Sequence, residues 1–291
     1  MIEVINLHKS YGKNDVLIDA NLKVGDGDIF GLVGINGAGK STLLRLLSGV
    51  LRADSGKILI DGKEVYENEE VKRNIFFLPD DPYYTMNLTG NQQAAFYKNF
   101  YPFDDEIFRY YTEKFSLNAN KPIRNFSKGM KRQIFISLAL ACRPKYLFLD
   151  EAFDGLDPLA RLEFKRGLIE LQETGSSVVI ASHSLRELED ICDSFALLDG
   201  HSVKAYGKID GELSKLCKFQ LVFEKDVERK ELPFDCIHFE KTGRVIKIVV
   251  RGEAEEIRAK IDGMKPLIVD EIPMDFEELF IYEVGERGYL Q

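Results

Sequence analysis

Between residues 2 and 24 apolar and polar positions alternate on either side of a Gly-Lys-Asn turn at 12–14. That period of two predicts an antiparallel strand pair, over 2–8 and 16–24. The pattern then changes. IFGLV at 29–33 is an unbroken apolar run ending at a glycine-rich loop, as a strand buried on both faces of a parallel sheet does. The loop feeds STLLRLLSGVL at 41–51, whose leucines fall on one helical face.

From about residue 81 to 143 aromatic residues become dense, as in AAFYKNFYPFDDEIFRYYTEKF, and the spacing turns helical. This predicts a helical subdomain. Short buried strands return at YLFLD (146–150) and SVVIASH (177–183), with a helix over about 157–174 between them. FALLDG (195–200) and HSVKAYG (201–207) predict a hairpin that closes the domain. Strand, helix and strand in repeated order imply an α/β sheet core. Past a boundary near 208–218 the stretches KFQLVFEKD, CIHFEKTGRVIKIVVRG and PLIVDEI alternate like strands, and EAEEIRAKID and MDFEELFIYEVG read as helices. They predict a small α+β domain over 208–291. The acidic run ENEEVK (67–72) reads as a solvated loop.

Composition narrows the possibilities. A chain of 291 residues allows one large domain and a smaller appendage. A net charge of −9 argues against non-specific binding to nucleic acid, which needs a basic surface, so no nucleic-acid partner is expected. The four cysteines have no CxxC spacing and suit reduced thiols in a cytosolic compartment. The opening MIEVINLHKSYG is charged and alternating, unlike a signal peptide. No apolar run approaches the roughly 20 residues that span a bilayer. Action on a membrane would require another chain to supply the membrane part.

Three segments carry candidate chemistry. In GINGAGKST, Gly34, Ile35, Asn36, Gly37, Ala38 and Gly39 form a loop whose amide N–H groups can converge on phosphate oxygens, and a helix N-terminus follows. Lys40 is placed to reach the β- and γ-phosphates of a nucleotide, and Ser41, followed by Thr42, to ligate Mg²⁺. Asp150 and Glu151 end a predicted parallel strand, where such sheets bind ligands. Asp150 suits water-mediated Mg²⁺ coordination and Glu151 suits orienting or deprotonating an attacking water. His183, at the end of a strand predicted in the same sheet, would bring an imidazole to the γ-phosphate edge. The same residue type at a strand end is often structural.

FSKGM at 126–130 poses a separate problem. Ser127 is a good helix N-cap, and a capped helix start beside Gly129 can bind phosphate. The γ-phosphate already has one loop, so this second site suits the nucleotide of a neighbouring subunit. A capped surface helix is the plainer alternative.

With Tyr11 in KSYGK, GINGAGKST, FLPDDP, FSKGM, YLFLDEAFDGLDP and ASH in this order, residues 2–207 resemble an ATP-binding cassette ATPase, the nucleotide-binding subunit of an ABC transporter. The resemblance implies a P-loop NTPase cassette with an N-terminal β subdomain and a helical subdomain. It implies that Tyr11 stacks on adenine, that Ser127 and Gly129 contact ATP held by the opposite subunit, and that Asp157 crosses the dimer interface. A second ATPase subunit, identical or a paralogue, and a separate transmembrane permease would be the partners. The chain would then sit peripherally on the cytoplasmic face of the cell membrane.

The chain departs from the family pattern at FSKGM, where LSGGQ is usual; the SKGM form resembles the exporter branch. Lys128 there would add charge near phosphate or face solvent. Asp80 stands where a glutamine is usual and would still reach Mg²⁺ as a carboxylate. Ala152 replaces a proline. Tyr83, Tyr84 and Phe96 are either packing residues of the helical subdomain or part of a groove for a permease helix. A soluble ATPase of this family acting on ribosomes or DNA is the alternative function; a P-loop kinase or GTPase would leave FSKGM unexplained.

Overall fold

The computed structural model describes residues 1–85, 87–208 and 216–274, together with Glu278 and Tyr282; for 204–208 it describes the backbone alone. The chain divides into two compact units, Met1–Tyr206 and Gly207–Gln291.

Two sheets build the first unit. Strands β1 (Ile2–Tyr11) and β2 (Asn14–Val24) pair antiparallel, and with β4 (Ser55–Ile60) and β5 (Lys63–Glu64) they form a sheet in the order β2-β1-β4-β5. The second sheet has the order β10-β9-β3-β8-β7-β6, from β3 (Ile29–Val33), β6 (Ile75–Leu78), β7 (Tyr146–Asp150), β8 (Ser177–Ala181), β9 (Ser194–Asp199) and β10 (Ser202–Lys208). Its pairs β6/β7, β7/β8, β8/β3 and β3/β9 are all parallel. Every residue of β3, β7 and β8 is buried, which is why these strands read as unbroken apolar runs.

Helix α1 (Lys40–Leu47) packs against β7 and β8. Its Leu43, Leu44, Leu46 and Leu47 join Phe30, Tyr146, Phe148 and Val179 in one core. Each such side chain contributes about 1.5–3 kcal/mol by leaving water. The helix stops before the expected residue 51. Gly49 takes a left-handed φ of 66°, and its N–H bonds back to the Leu46 carbonyl.

The acidic run at 67–72 corrects the solvated-loop expectation, because it contains a short helix, α2 (Glu69–Lys72). The Asn68 side chain accepts from the Val71 N–H, and Val71 is buried. Two glutamates in the first turn suit the positive end of the helix.

Between β6 and β7 lie α3 (Gly90–Tyr97), α4 (Asp105–Lys114) and α5 (Lys128–Ala141). Helix α5 packs on α4, on β6 and on α6 (Pro158–Glu173). The aromatic segment is largely packing. Tyr97 and Tyr101 sit 5.3 and 5.5 Å from the Phe76 ring, and the Tyr101 hydroxyl donates to the Ile75 carbonyl, holding the sheet's edge strand. Some of it faces outward: Tyr83 is 89% exposed, and Phe96 and Phe100 are exposed side by side.

The second unit is α+β. Its sheet has the antiparallel order β12-β13-β11-β14, from β11 (Leu216–Val222), β12 (His238–Thr242), β13 (Val245–Arg251) and β14 (Ile268–Ile272). Phe219, Leu221, Ile246, Ile248 and Val250 pack with Ile257 and Ile261 of α7 (Ala254–Gly263). Residues 209–215 within the expected boundary lie outside the described residues. So does the helix read over 274–285, apart from Met274, Glu278 and Tyr282.

Candidate functional site

Because β3, β6, β7 and β8 run parallel, the residues that follow them share one edge of the sheet. Those residues are Gly34 onward, Pro79–Asp80, Glu151 and Ser182–His183.

The loop after β3 enters α1 through Gly39, whose φ of 102° admits glycine far more readily than any residue with a Cβ. Ile35, Asn36 and Gly37 are exposed, whereas Gly34, Ala38, Lys40 and Thr42 are buried. The Lys40 ammonium folds back inside the loop and donates to the Gly34 carbonyl at 2.7 Å and to the Ile35 carbonyl at 3.3 Å. It also lies 3.9 Å from Glu151 Oε1. Burial pushes the Lys40 pKa down, against the opposing pull of Glu151 and Asp150. A buried ammonium at a glycine-rich loop and helix N-terminus favours an anionic group such as a phosphate.

Asp150 is 2% exposed, and its Oδ1 accepts from the Ser41 hydroxyl at 2.9 Å. Burial raises its pKa; the Ser41 hydrogen bond opposes this and the charges of Glu151 and Asp80 add to it. A buried carboxylate and a hydroxyl, with other carboxylates near, form a set of hard oxygen donors that fits Mg²⁺. Ser41 and Asp150 are the residues that would hold it, and a cation there would neutralise phosphate charge.

Glu151 sits in the left-handed region at φ 46°, which turns its side chain out of the line of β7. Its N–H still bonds to the Ala181 carbonyl. The carboxylate Oε2 lies 2.8 Å from His183 Nδ1 and accepts from the His183 N–H at 3.3 Å. The turn after β8 is braced from behind. The Ser182 hydroxyl donates to Glu187 Oε2, and Glu187 Oε1 lies 2.7 Å from Arg161 on α6.

A second group of expected residues gathers at the start of α5. Ser127 is its N-cap, accepting from the Met130 N–H at 3.2 Å. Gly129 lies so close to the following turn that a Cβ there would come within 2.8 Å of the Gly155 carbonyl oxygen. Two residues on, Asp157 caps α6 by accepting from the Ala160 N–H at 2.9 Å. Ser127, Gly129, Gly155 and Asp157 therefore form one neighbourhood, and Ser127, Gly155 and Asp157 are exposed. Lys128 faces solvent.

Tyr11 stands at the tip of the β1–β2 hairpin, 46% exposed, opposite Asn14. The other arm reaches the phosphate loop, where Val16 packs beside Gly39. Asp80 is engaged elsewhere than at Ser41, its Oδ1 accepting from Arg132 Nη2 at 2.6 Å.

Two residues of this region escaped sequence reasoning. Asp154 brings a carboxylate oxygen within 4.8 Å of ligand atoms on Glu151 and His183; the turn at 151–154 that positions it left no pattern to read. Arg132 is buried on α5, 52 residues from its partner. It stands in the polar run KGMKRQ, where nothing in the sequence sets it apart from its neighbours.

A family model described as ABC transporter matches residues 17–154. The ABC transporter ATP-binding protein YtrB of Bacillus subtilis (strain 168) is 32% identical over 290 residues, 99% of each chain. The lantibiotic transport ATP-binding protein SrtF of Streptococcus pyogenes is 31% identical over 229 residues, covering 77% of this chain and 99% of its own. A solved structure described as an ATP binding subunit of an ABC transporter superposes with a TM-score of 0.68 at 30% identity, over 73% of this chain and 91% of that one.

The chain belongs to the ABC transporter family as an ATP-binding subunit, with the P-loop NTPase fold. It is an ATPase. Dimers and separate membrane permease components are general for such subunits. No helix among the described residues is long and apolar enough to cross a membrane.

Proposed function

We propose that residues 1–207 are an ATPase cassette that closes with a second subunit around two ATP molecules and drives a separate membrane permease. Residues 208–291 form an accessory domain. Lys40 and the loop amides bind the β- and γ-phosphates, Ser41 and Asp150 hold Mg²⁺, and Glu151 takes the proton of the attacking water. His183, steadied by Glu151, presents its imidazole to the γ-phosphate edge. Tyr11 stacks on the adenine. Binding energy closes the dimer, and loss of the γ-phosphate contacts reopens it.

The observation that carries this reading is the separation into two half-sites. Lys40, Ser41, Asp150, Glu151 and His183 converge at the sheet edge, while Ser127, Gly129 and Asp157 gather around the start of α5. A two-fold dimer joins each group to its complement on the other copy. The permease side is supported by the cleft of about 340 Å³ lined by Pro82, Tyr84 and Phe135 and by charged side chains such as Asp81, Lys128 and Lys131, beside which Tyr83 projects into solvent. An amphipathic helix of the permease, on the cytoplasmic face of the membrane, fits that cleft. Export is favoured by the SKGM form at 127–130 and by the lantibiotic transport named for the S. pyogenes relative.

A mixing experiment tests the homodimeric form. Lys40→Ala and Ser127→Arg subunits are each inactive alone. Mixed in equal amounts they regain ATPase activity, to about a quarter of wild type if sites act independently, because half of the dimers carry one intact composite site. No regain, with both variants folded, contradicts a site shared between two copies.

A further inference from the structure

Arg132 is almost wholly buried, at 3% exposure, yet it belongs to neither half-site. It projects from α5, five residues past the Ser127 cap, onto the segment that leaves β6. Its Nη1 donates to the Pro79 carbonyl at 3.1 Å, and its Nη2 donates both to the Asp80 carbonyl and to Asp80 Oδ1, each at 2.6 Å. A planar guanidinium suits this fork, whereas an ammonium could not hold all three oxygens in the same plane.

The same helix grips the segment again further on. The Tyr84 ring lies 6.2 Å from Phe135, and Lys131 Nζ lies 5.1 Å from the Tyr84 ring centre. The 79–84 segment is therefore fastened to α5 at two places, and α5 begins at Ser127.

Asp80 itself is half exposed, its side chain 53% accessible, whereas the arginine is buried. It follows the strand next to β7, at the sheet edge where Asp150 and Ser41 meet. A divalent cation at Ser41 and Asp150 attracts this carboxylate, and Arg132 attracts it the other way.

We propose that Arg132 is a positioning residue which competes with the divalent cation for Asp80 while its grip on the Pro79 and Asp80 carbonyls ties that side of the site to the Ser127 helix. This rests on the ATP·Mg²⁺ reading above. In one state the carboxylate rests on Arg132; in the other it turns toward the cation.

The test measures ATP affinity by calorimetry against Mg²⁺ concentration, in full-length Glu151→Gln protein so that hydrolysis does not intervene. Adding Arg132→Gln frees Asp80, and the Mg²⁺ needed for half-maximal tightening is expected to fall roughly tenfold, the size of effect one adjacent opposite charge has on a carboxylate's affinity for a proton. That shift disappears when Asp80→Asn is also present. Arg132→Lys keeps the charge but loses the fork; it is expected to shift the Mg²⁺ requirement less, in the same direction, and it serves in place of Arg132→Gln if that variant does not fold. An unchanged Mg²⁺ requirement in both arginine variants, or a shift that persists with Asp80→Asn, overturns the proposal. Absence of ATP binding in the parent Glu151→Gln protein overturns instead the ATP·Mg²⁺ reading on which it rests.

Discussion

Glu151 Oε2 stands 2.8 Å from His183 Nδ1 and accepts the His183 backbone N–H as well. The strand end of β7 is thus joined to the strand end of β8. The relationship gives each residue a separable task. Glu151 supplies a base, and it also fixes the imidazole so that the other ring nitrogen faces outward.

Glu151→Gln is expected to keep ATP binding, because the phosphate loop and Lys40 are intact, and to lower turnover about 10²–10⁴-fold, the usual share of a general base. His183→Ala also loses turnover while retaining ATP affinity. Phosphate release and nucleotide titration on the same samples check both, and equal losses of affinity and turnover would count against the assigned roles.

Asp157 both caps α6 and, on this account, faces the partner subunit. Asp157→Ala costs about 1 kcal/mol of stability through the lost cap, whereas Asp157→Ser restores a capping hydroxyl. Asp157→Ser is therefore expected to melt near the wild-type temperature and still to have reduced ATPase activity. Full activity in that variant leaves Asp157 with a capping role only.

Gly129→Ala places a methyl within 2.8 Å of the Gly155 carbonyl. Backbone has to move there, at a cost of about 1–3 kcal/mol. Thermal melting is expected to drop by several degrees, while ATP affinity of the separate phosphate loop persists. An unchanged melting temperature contradicts the close approach of these two turns.

Hydrogen bonds from Lys9, from the Ser10 N–H and from the Ser10 hydroxyl hold Asp54 down at a pKa of about 2, from an ordinary 3.8. A depressed folded-state value contributes stability above the unfolded value and loses it as the pH falls through the folded one. The wild type is expected to lose melting temperature between about pH 4 and pH 2, and Asp54→Asn to lose less across that window. Parallel melting curves for the two proteins check the sign.

Much of the catalytic edge was legible because β3, β7 and β8 are buried on both faces and carry uninterrupted apolar runs. Their ends could then be aligned by topology alone, which brought Lys40, Asp150 and His183 to one place. Strand β6 offered only four residues, and β4 begins with three exposed polar or glycine positions, so neither stood out. Helix α2 was concealed by its acidity, although Asn68 followed by Glu69 and Glu70 is a helix start. The Arg132 clamp was beyond pattern reading, since it joins residues 52 apart through tertiary packing. The cap at Ser127 was local and visible; that Asp157 caps α6 and that Gly129 touches Gly155 came from the structure.

The central claim is that each ATP lies between Lys40 of one subunit and Ser127 of another. Light scattering of purified Glu151→Gln, with and without ATP and Mg²⁺, tests it most directly. The account predicts an ATP-dependent shift from monomer to dimer that Ser127→Arg abolishes without preventing ATP binding. A protein that binds ATP and stays monomeric, or an ATP-dependent dimer indifferent to Ser127→Arg, would contradict it.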